Sequence, residues 1–264
     1  MLKGAIHIHS TYSDGEFTLS ELRDLFRAEG CAFVCMTDHA EFFDAESLGK
    51  YHAECAAFSD ASFCFVPGLE YGCEQKMHIL GYGARRLATT ENPQEIIRYI
   101  EEQGAISVIA HPKDEHFPWI ESFDILPRGI ETWNSKYDGR MAPRPGTFAM
   151  LQRLRSHRSD MQAFYGQDLH WRKQFHELFV HLDCDACAPA SILAALARGA
   201  YTGNKGELAL PSSGILPEDL LAVFEKGHRK SDRIRKFMKS GKKALDRIGL
   251  KVPASVKAQL RRIF

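Results

Sequence analysis

The sequence predicts an α/β protein built from repeated βα units, on two observations. Short apolar runs rich in β-branched residues alternate with segments of helical periodicity through most of the chain. Residues able to bind metals recur at or near the ends of the predicted strands. Such alternation is typical of parallel βα units in an open sheet or a barrel. Seven predicted strands between residues 5 and 168 favour a barrel or near-barrel, in which reactive side chains gather at the C-terminal strand ends.

The predicted elements follow one another mostly in strand–helix order. Each strand is a short apolar run, and each helix carries apolar residues at helical spacing. The predicted strands are Ala5–His9, Phe33–Thr37, Phe63–Glu70, Met77–Tyr82, Ile106–His111, Gly129–Thr132 and Met161–Asp168. The predicted helices lie near Leu19–Glu29, Asp44–Phe58, Pro93–Gln103, Thr147–His157 and Pro189–Ala197.

The composition excludes several classes of protein. With 44% hydrophobic and 26% charged residues among 264, the chain is unlike intrinsically disordered proteins. No apolar run approaches the roughly 18 residues of a membrane span, and the first residues lack the apolar core of a signal peptide. Seven scattered cysteines, an odd number, fit reduced thiols better than a disulfide framework. We therefore expect a cytoplasmic location, with peripheral attachment to the inner membrane surface as an alternative.

The charge of the chain is divided unequally along its length. Residues 226–264 hold 14 of the 34 Lys and Arg residues but two of the 34 acidic ones, so this segment carries +12 and the rest −12. Near-helical spacing of its apolar residues predicts basic amphipathic helices. We expect a domain over residues 1–214 and a basic helical extension over residues 215–264. Packing on the acidic body is its simplest role, and contact with nucleic acid or with an anionic membrane through residues 226–264 are the alternatives.

The first predicted strand carries a His-x-His pair. Strand alternation places His7 and His9 on one face and Ile6 and Ile8 on the other, so that two imidazoles can bind one metal ion. A single pair of this kind is more often incidental. The rest of the set changes that interpretation, because six histidines, two aspartates and one glutamate follow in order along the predicted strand ends. They are His7, His9, Asp14, His39, Glu70, His78, His111, Asp168 and His170. Buried together without cations, these groups would be costly to leave unpaired.

These motifs resemble those of a known family. His-x-His with a later Asp14-Gly15, Thr37-Asp38-His39, Pro67-Gly68-x-Glu70, a later His, Ala110-His111-Pro112 and Gly166-x-Asp168-x-His170 closely resemble the motifs of the polymerase and histidinol phosphatase (PHP) family of metallo-phosphoesterases. Their order is most similar to small stand-alone members that act on nucleotide or oligonucleotide phosphates. The resemblance covers residues 1–204 and implies a distorted (βα)7 TIM-like barrel with up to three metals near its centre.

The resemblance also implies a division of the ligands among two to three divalent ions. His7, His9, Glu70 and Asp168 would hold one ion. Glu70 would bridge to a second, held also by His78 and His111, and the third would be held by Asp14, His39 and His170. Many family members have His where this chain has Asp14, and this oxygen ligand favours Mn or Fe over Zn there. The chain also has Gln167 where the family often has Ser.

Hydrolysis is the chemistry that clustered divalent ions support, with a metal-activated hydroxide as nucleophile. The predicted catalytic residues are Asp38, His39 and Asp168. Asp38 and His39 are conceivable proton carriers, although ligation competes for His39 and orienting a ligand is the more ordinary role for Asp38. Substrate phosphate is expected to meet cations near the strand ends, and the candidates are Lys113, Arg140, Arg144 and Arg172. Glu131 is interpreted as lining the site.

Trp133 and Trp171 lie next to the predicted site and are candidates for stacking on bases, although large aromatic residues more often simply pack. The leading hypothesis is a metal-dependent phosphoesterase whose substrate is a phosphorylated small molecule or an oligonucleotide. A small-metabolite phosphatase of the histidinol-phosphate type is the alternative within hydrolases. A non-catalytic metal- or nucleic-acid-binding module that works through the basic extension is the alternative outside them. No obligate protein partner is inferred.

Overall fold

A computed structural model of the chain describes residues 1–139, 142–229, 233 and 240. Its strands are β1 Leu2–Ile8, β2 Phe33–Met36, β3 Asp38–His39, β4 Cys64–Val66, β5 Gly68–Gly72, β6 His78–Tyr82, β7 Ile106–Ala110, β8 Gly129–Asn134, β9 Gln162–Gly166, β10 Phe179–Leu182, β11 Tyr201–Lys205 and β12 Leu208–Pro211. Its helices are α1 Leu19–Ala28, α2 Ala45–Ala57, α3 Pro93–Glu101, α4 Phe117–Ile120, α5 Pro145–Leu154 and α6 Pro189–Ala197. Residues 218–229 are also helical.

The helices begin where local sequence signals place them. Helix α1 starts after Thr18, whose side chain accepts from the backbone N–H of Glu21 while the Glu21 carboxylate accepts in return from Thr18. Helix α3 starts with Pro93 after an Asn92 cap, a position where the missing N–H of proline costs nothing. Both helices bury one apolar face against the sheets. The five predicted helices are therefore found close to their predicted bounds.

The strands form two mixed six-stranded sheets. The first has the order β12-β11-β10-β1-β2-β4, and the second β3-β5-β6-β7-β8-β9. The sheets approach each other beside β1, where the Gln167 N–H donates to the Ile6 carbonyl at 3.1 Å and Ile8 forms an isolated bridge with Leu169. The α/β class is confirmed, but no closed (βα)7 barrel is found among the described residues.

Breaks in two predicted strands contribute to this departure from a barrel. The predicted strand Phe63–Glu70 is divided at Pro67, which has no N–H for a ladder bond, so that β4 joins the first sheet and β5 the second. The predicted strand Phe33–Thr37 continues past Thr37 as β3, again in the other sheet. Each run of sequence thus contributes to both sheets.

Strand β6 corrects the expectation of parallel pairing. It runs antiparallel to both β5 and β7, with His78 opposite Gly72 in one neighbour and Ala110 in the other. The first residue of β6 is therefore level with the last residues of its neighbours. This reversal brings His78 to the same edge as Glu70 and His111, although His78 begins its strand and they lie near the ends of theirs.

A continuous apolar core connects the sheets and helices. The core includes the buried side chain of Phe224, from the helix over residues 218–229. Leu220 and Leu221 of the same helix pack against this core. The start of the predicted extension thus contacts the body. Residues 226–264, for which contact with nucleic acid or a membrane is predicted, lie almost wholly outside the described residues. Within the described part, no helix has both the length and the apolarity that a membrane crossing requires.

Candidate metal centre

All nine predicted ligand residues come together at one edge of the strands, around the buried carboxylate of Glu70. Five imidazoles surround that carboxylate. Its Oε1 lies 2.8 Å from His78 Nδ1 and 3.1 Å from His111 Nε2. Its Oε2 lies 3.1 Å from His9 Nε2, 3.3 Å from His7 Nε2 and 3.7 Å from His39 Nδ1. Glu70 is 1% exposed, so its carboxylate has little access to water.

Asp168 and Asp14 complete the cluster on either side of His170. The Asp168 Oδ1 lies 3.1 Å from His170 Nδ1 and 3.8 Å from the Nε2 atoms of His7 and His9. The Asp14 Oδ1 lies 3.2 Å from His170 Nε2 and 3.8 Å from His9 Nδ1. Asp14 is 41% exposed and Asp168 is buried, so the cluster runs from the interior to solvent.

The ligand atoms fall into overlapping groups, each able to surround one cation. These groups are His9, Asp14, His39 and His170; His7, His9 and Asp168; His7, Glu70 and His111; and His39, Glu70 and His78. The grouping differs from the division implied by the family. His9 also belongs with Asp14, and His78 groups with His39 rather than with His111. Because neighbouring groups share His7, His9, His39 and Glu70, they are alternative ways in which the cluster could hold two to three ions.

The hydrogen-bonding state of the imidazoles fits bound cations. Both ring nitrogens of His9 and the Nδ1 atoms of His39 and His78 are buried without a hydrogen bond of regular geometry among the described residues, although Glu70 oxygens lie 3.1 Å from His9 Nε2 and 2.8 Å from His78 Nδ1. A buried polar atom without a partner costs about 1–3 kcal/mol. Imidazole and carboxylate together suit Zn, Mn and Fe. The donor set therefore fits divalent ions, which would remove this cost.

Three of these residues have positive φ angles, a backbone conformation that residues other than glycine rarely adopt. The φ angles of His7, His111 and Asp168 are 61°, 29° and 53°. A non-glycine residue held there costs of order 1–3 kcal/mol and persists only where the surroundings require it. At His7 the pairing of β1 with β2 shifts register between Ile6 and Ile8. Strand β1 is therefore irregular at His7, yet His7 and His9 face the same cluster as predicted, with their ring centroids 5.3 Å apart.

The charges of the cluster suit a site for cations. Burial opposes ionisation of Glu70 and Asp168, but the adjacent histidines, His7 foremost, hold the pKa of both carboxyls well below the usual range. Burial lowers the pKa of His9 well below its usual value, which leaves a neutral imidazole. Two carboxylates and a neutral imidazole are protonation states that metal binding requires. Burial lowers the pKa of His7, but the charges of Glu131, Asp168 and Glu70 together raise it well above its usual value, so His7 would release a proton on binding a cation.

Glu131 supports the cluster from behind. Its Oε1 accepts from His7 Nδ1 at 2.7 Å, and its Oε2 accepts from the His111 backbone N–H at 2.9 Å and from Asn134 Nδ2 at 3.0 Å. The Asn134 amide also donates to Asp168 at 3.1 Å. A carboxylate on the far nitrogen of a ligating histidine fixes its tautomer and its orientation.

The Asp38 carboxylate accepts hydrogen bonds from the loop that carries Asp14. It accepts from the Ser10 backbone N–H at 2.7 Å, from the Ser10 hydroxyl at 2.9 Å and from the Ser13 hydroxyl at 2.8 Å. Burial raises its pKa to about 6. These bonds correspond to an orienting role rather than to proton transfer. His39, in contrast, faces the cluster between Asp14 and Glu70.

Three of the predicted phosphate-binding residues lie in the described part of the chain, and their recorded contacts are with residues outside the cluster. Arg144 donates to Asp138 at 2.7 Å and to the Pro112 carbonyl at 2.8 Å, which engages its guanidinium beside the site. Lys113 is 51% exposed and lies 3.6 Å from Glu115. Arg172 lies over the Phe17 ring, 4.8 Å from its centroid. Arg140 lies outside the described residues.

Lys136 is a site residue that the sequence reasoning missed. Its Nζ lies 3.0 Å from Asp168 Oδ1 and 3.3 Å from His170 Nδ1. Burial lowers its pKa, but Asp168, Tyr137 and Glu70 together raise it by more, so the ammonium stays charged. The available signal is its place two residues after Asn134, in the same loop as Arg140 and Arg144.

The two tryptophans singled out for stacking differ in position. Trp133 is fully buried and its Nε1 donates to the Gly139 carbonyl at 2.9 Å, so it packs in the core and is not available to stack on bases. Trp171 is 38% exposed, and its ring centroid lies 5.4 Å from that of His170.

Known proteins resemble this chain in structure rather than in sequence. No protein-family model matches the chain, and no curated protein matches it. A two-domain protein from Bacteroides vulgatus ATCC 8482, containing a predicted PHP-like metal-dependent phosphoesterase, superposes with a TM-score of 0.57 at 17% identity, over 85% of this chain and 69% of that one. PsfC from Pseudomonas syringae PB-5123 superposes with a TM-score of 0.52 at 12% identity, over 87% of this chain and 98% of that one.

An amidohydrolase from Chromobacterium violaceum aligns over 64% of this chain and 88% of its own at 16% identity, and its TM-score of 0.48 is too low to support an inference. At these identities a structural likeness establishes the fold, and the chemistry depends on the site itself. The chain therefore shares the fold of a PHP-like metal-dependent phosphoesterase, in agreement with the family that its sequence motifs resemble.

Proposed function

We propose that this protein is a metal-dependent phosphoesterase whose substrates are nucleotide or oligonucleotide phosphates. One observation carries the proposal: nine ligand-competent side chains from separate strand ends form one cluster around the Glu70 carboxylate, and the Nδ1 atoms of His9 and His39 are buried without a hydrogen-bond partner among the described residues. A structural metal site needs about four ligands with no open position. A larger, solvent-connected set with shared ligands is typical of multi-metal hydrolytic sites.

The residues that would hold two to three divalent ions (Mn, Zn or Fe) are the nine of the cluster. Bound there, such ions supply Lewis-acid polarisation of a phosphoryl oxygen and lower the pKa of water. Asp14 lies on the solvent side of the cluster, so substrate would enter from that direction. Lys136 is the cation best placed to meet the phosphate, because its ammonium already lies beside Asp168 and His170.

Orientation of the ligands depends on three buried groups outside the cluster. Glu131 sets the tautomer of His7, Asn134 connects Glu131 to Asp168, and Asp38 fixes the loop of Asp14. Rigid support of this kind keeps ligands within the narrow geometric range that catalysis tolerates.

The experiment that tests the proposal combines metal analysis with phosphate release. Purified protein is analysed for bound Mn, Zn and Fe, then assayed against a nucleoside monophosphate, a short 5′-phosphorylated RNA and histidinol phosphate. Asp168→Asn and His9→Ala should each reduce turnover by at least about 10³-fold and lower the metal content, while the far-UV circular dichroism stays unchanged. His157→Ala, which alters an exposed histidine outside the cluster, is the matched control.

Each outcome has one meaning for the proposal. Metal-dependent turnover that is lost in both cluster variants and kept in the control supports it. Bound metal with turnover of histidinol phosphate alone would replace the proposed substrate class with a small metabolite. Little bound metal and no turnover would overturn the proposal in favour of a binding module.

A further inference from the structure

Large apolar side chains exposed to solvent are concentrated at the mouth of the candidate metal centre. Among the described residues, six such side chains are exposed, and three of them border the cluster. They are Phe42, Tyr137 and Trp171, with 55%, 46% and 38% of their surfaces exposed. Exposed apolar side chains gathered in one place, unlike those scattered singly, mark a binding site.

Each of the three rings contacts a different histidine of the cluster. The ring centroid of Tyr137 lies 4.5 Å from that of His111, and the ring of Trp171 lies 5.4 Å from that of His170. The ring of Phe42 lies 6.2 Å from that of His39. The three aromatic residues come from separate loops, after β8, after β9 and after β3. The mouth is thus bordered by aromatic surface from several directions.

The charged groups next to Tyr137 and Trp171 are ammonium groups, whereas the one next to Phe42 is a carboxylate. The Nζ of Lys136 lies 5.3 Å from the centroid of the Tyr137 ring, and the Nζ of Lys173 lies 5.1 Å from that of Trp171. Phe42 instead follows Glu41, a half-exposed carboxylate 3.7 Å from His39 Nδ1. An anionic phosphate would be attracted beside the first two rings and repelled beside the third.

An exposed ring next to an ammonium recognises a planar group joined to a phosphate. Proteins that bind single-stranded nucleic acids combine a cationic surface for the backbone with aromatic side chains on which bases stack. Tyr and Trp serve well in this role, because a rigid ring offers a large face at low cost in conformational entropy.

We propose that Tyr137 and Trp171 are specificity-determining residues, on which the planar aromatic group of a phosphate ester stacks while its phosphate faces the metal centre. The inference rests on the proposed function and goes further, since it assigns base recognition to two side chains outside the ligand set. It distinguishes base-bearing esters from aliphatic phosphates of similar charge.

Equilibrium dialysis of the purified, metal-containing protein tests this inference independently of turnover. The probes are adenosine 5′-monophosphate and ribose 5-phosphate, which share the ribose phosphate and differ by the base. The wild-type protein should bind the adenosine compound more tightly by about 5- to 160-fold, the range that one stacked base contributes. Tyr137→Ala and Trp171→Ala should each reduce this preference, and the double variant should abolish it.

Conservative and remote variants separate stacking from a general structural effect. Tyr137→Phe and Trp171→Phe keep a ring at each position and should retain most of the preference. Ile215→Ala removes an exposed apolar side chain that is not part of the mouth and should leave both affinities unchanged. In turnover assays the alanine variants should raise KM for the base-bearing ester with little change in kcat, and should leave ribose 5-phosphate unaffected.

Equal binding of the two probes by the wild-type protein would overturn the inference, as would an undiminished preference in the double variant or failure to bind either probe. Base-dependent binding without turnover of any phosphate ester would support the inference while refuting the proposed function. Turnover of both probes at equal kcat/KM would refute the inference while supporting metal-dependent phosphoesterase activity.

Discussion

Glu131→Gln is the most informative single change, because it replaces one oxygen by an NH₂ group in a carboxylate whose two oxygens both accept hydrogen bonds. The two oxygens of Glu131 accept three hydrogen bonds, one from His7 Nδ1 and two from the His111 N–H and the Asn134 amide. Glutamine has one acceptor oxygen. That oxygen should turn towards the two donors, which leaves the new NH₂ group facing His7.

The consequence falls on the opposite side of the His7 ring. A donor at Nδ1 forces the imidazole proton onto Nε2, the atom 3.3 Å from Glu70 and 3.8 Å from Asp168. A protonated Nε2 has no lone pair to offer a cation. Loss of such a supporting carboxylate typically lowers metal affinity about 10- to 100-fold, which corresponds to roughly 1.4–2.8 kcal/mol.

Competition with a chromogenic chelator at fixed pH measures this change as a ratio of dissociation constants. The matched control is Glu101→Gln, since Glu101 also accepts from a hydroxyl and a guanidinium, those of Ser107 and Arg158, at the other end of β7. The control should bind metal as the wild-type protein does. A folded Glu131→Gln protein whose affinity stays within about twofold of wild type would refute the reasoning.

Three further changes test the site and the fold. Lys136→Met should raise KM for a phosphate ester about 10- to 150-fold in steady-state assays, the contribution of a charged hydrogen bond, and arginine should restore part of it. Gly203→Ala should lower the free energy of unfolding in urea by about 1–3 kcal/mol, because a Cβ there would overlap the Tyr165 ring. Hydrogen bonds from Ser62 lower the pKa of Asp60 to about 2. Since this pKa lies below the unfolded value near 3.8, the stabilisation is present above about pH 4 and lost as the pH falls towards 2. The difference in Tm between the wild type and Asp60→Asn should therefore vanish over that range.

Each of these three predictions has an outcome that would contradict it. Lys50→Met, on an exposed helix surface, is the control for Lys136→Met, and equal effects of the two on KM would exclude a role in phosphate binding. Gly49→Ala, where an added Cβ meets nothing, is the control for Gly203→Ala and should be neutral or stabilising. A Tm difference for Asp60→Asn that persists unchanged at pH 2 would contradict the pKa shift.

The elements up to residue 197 could mostly be predicted, because their signals are local. Apolar runs, caps and helical spacing lie within a few residues of one another, and the structure confirms the helices near their predicted bounds. Strands β10, β11 and β12 were not predicted. Strand β11, Tyr-Thr-Gly-Asn-Lys, carries a weak pattern, and β10 is held by pairing with β1 from the far end of the chain. Such long-range pairing overrides weak local preference.

The sequence alone determined which residue types could form a site: histidines and carboxylates recur at predicted strand ends, and the structure brings all nine together. Only the tertiary structure decided what surrounds them. The reversal of β6 brings His78 to the cluster, and Lys136 enters it while Arg144 bonds to Asp138. Trp133 is buried, whereas Trp171 is exposed. The physical reason is that residue chemistry and spacing are local properties, whereas the direction and partners of a side chain depend on segments distant in sequence that pack against it.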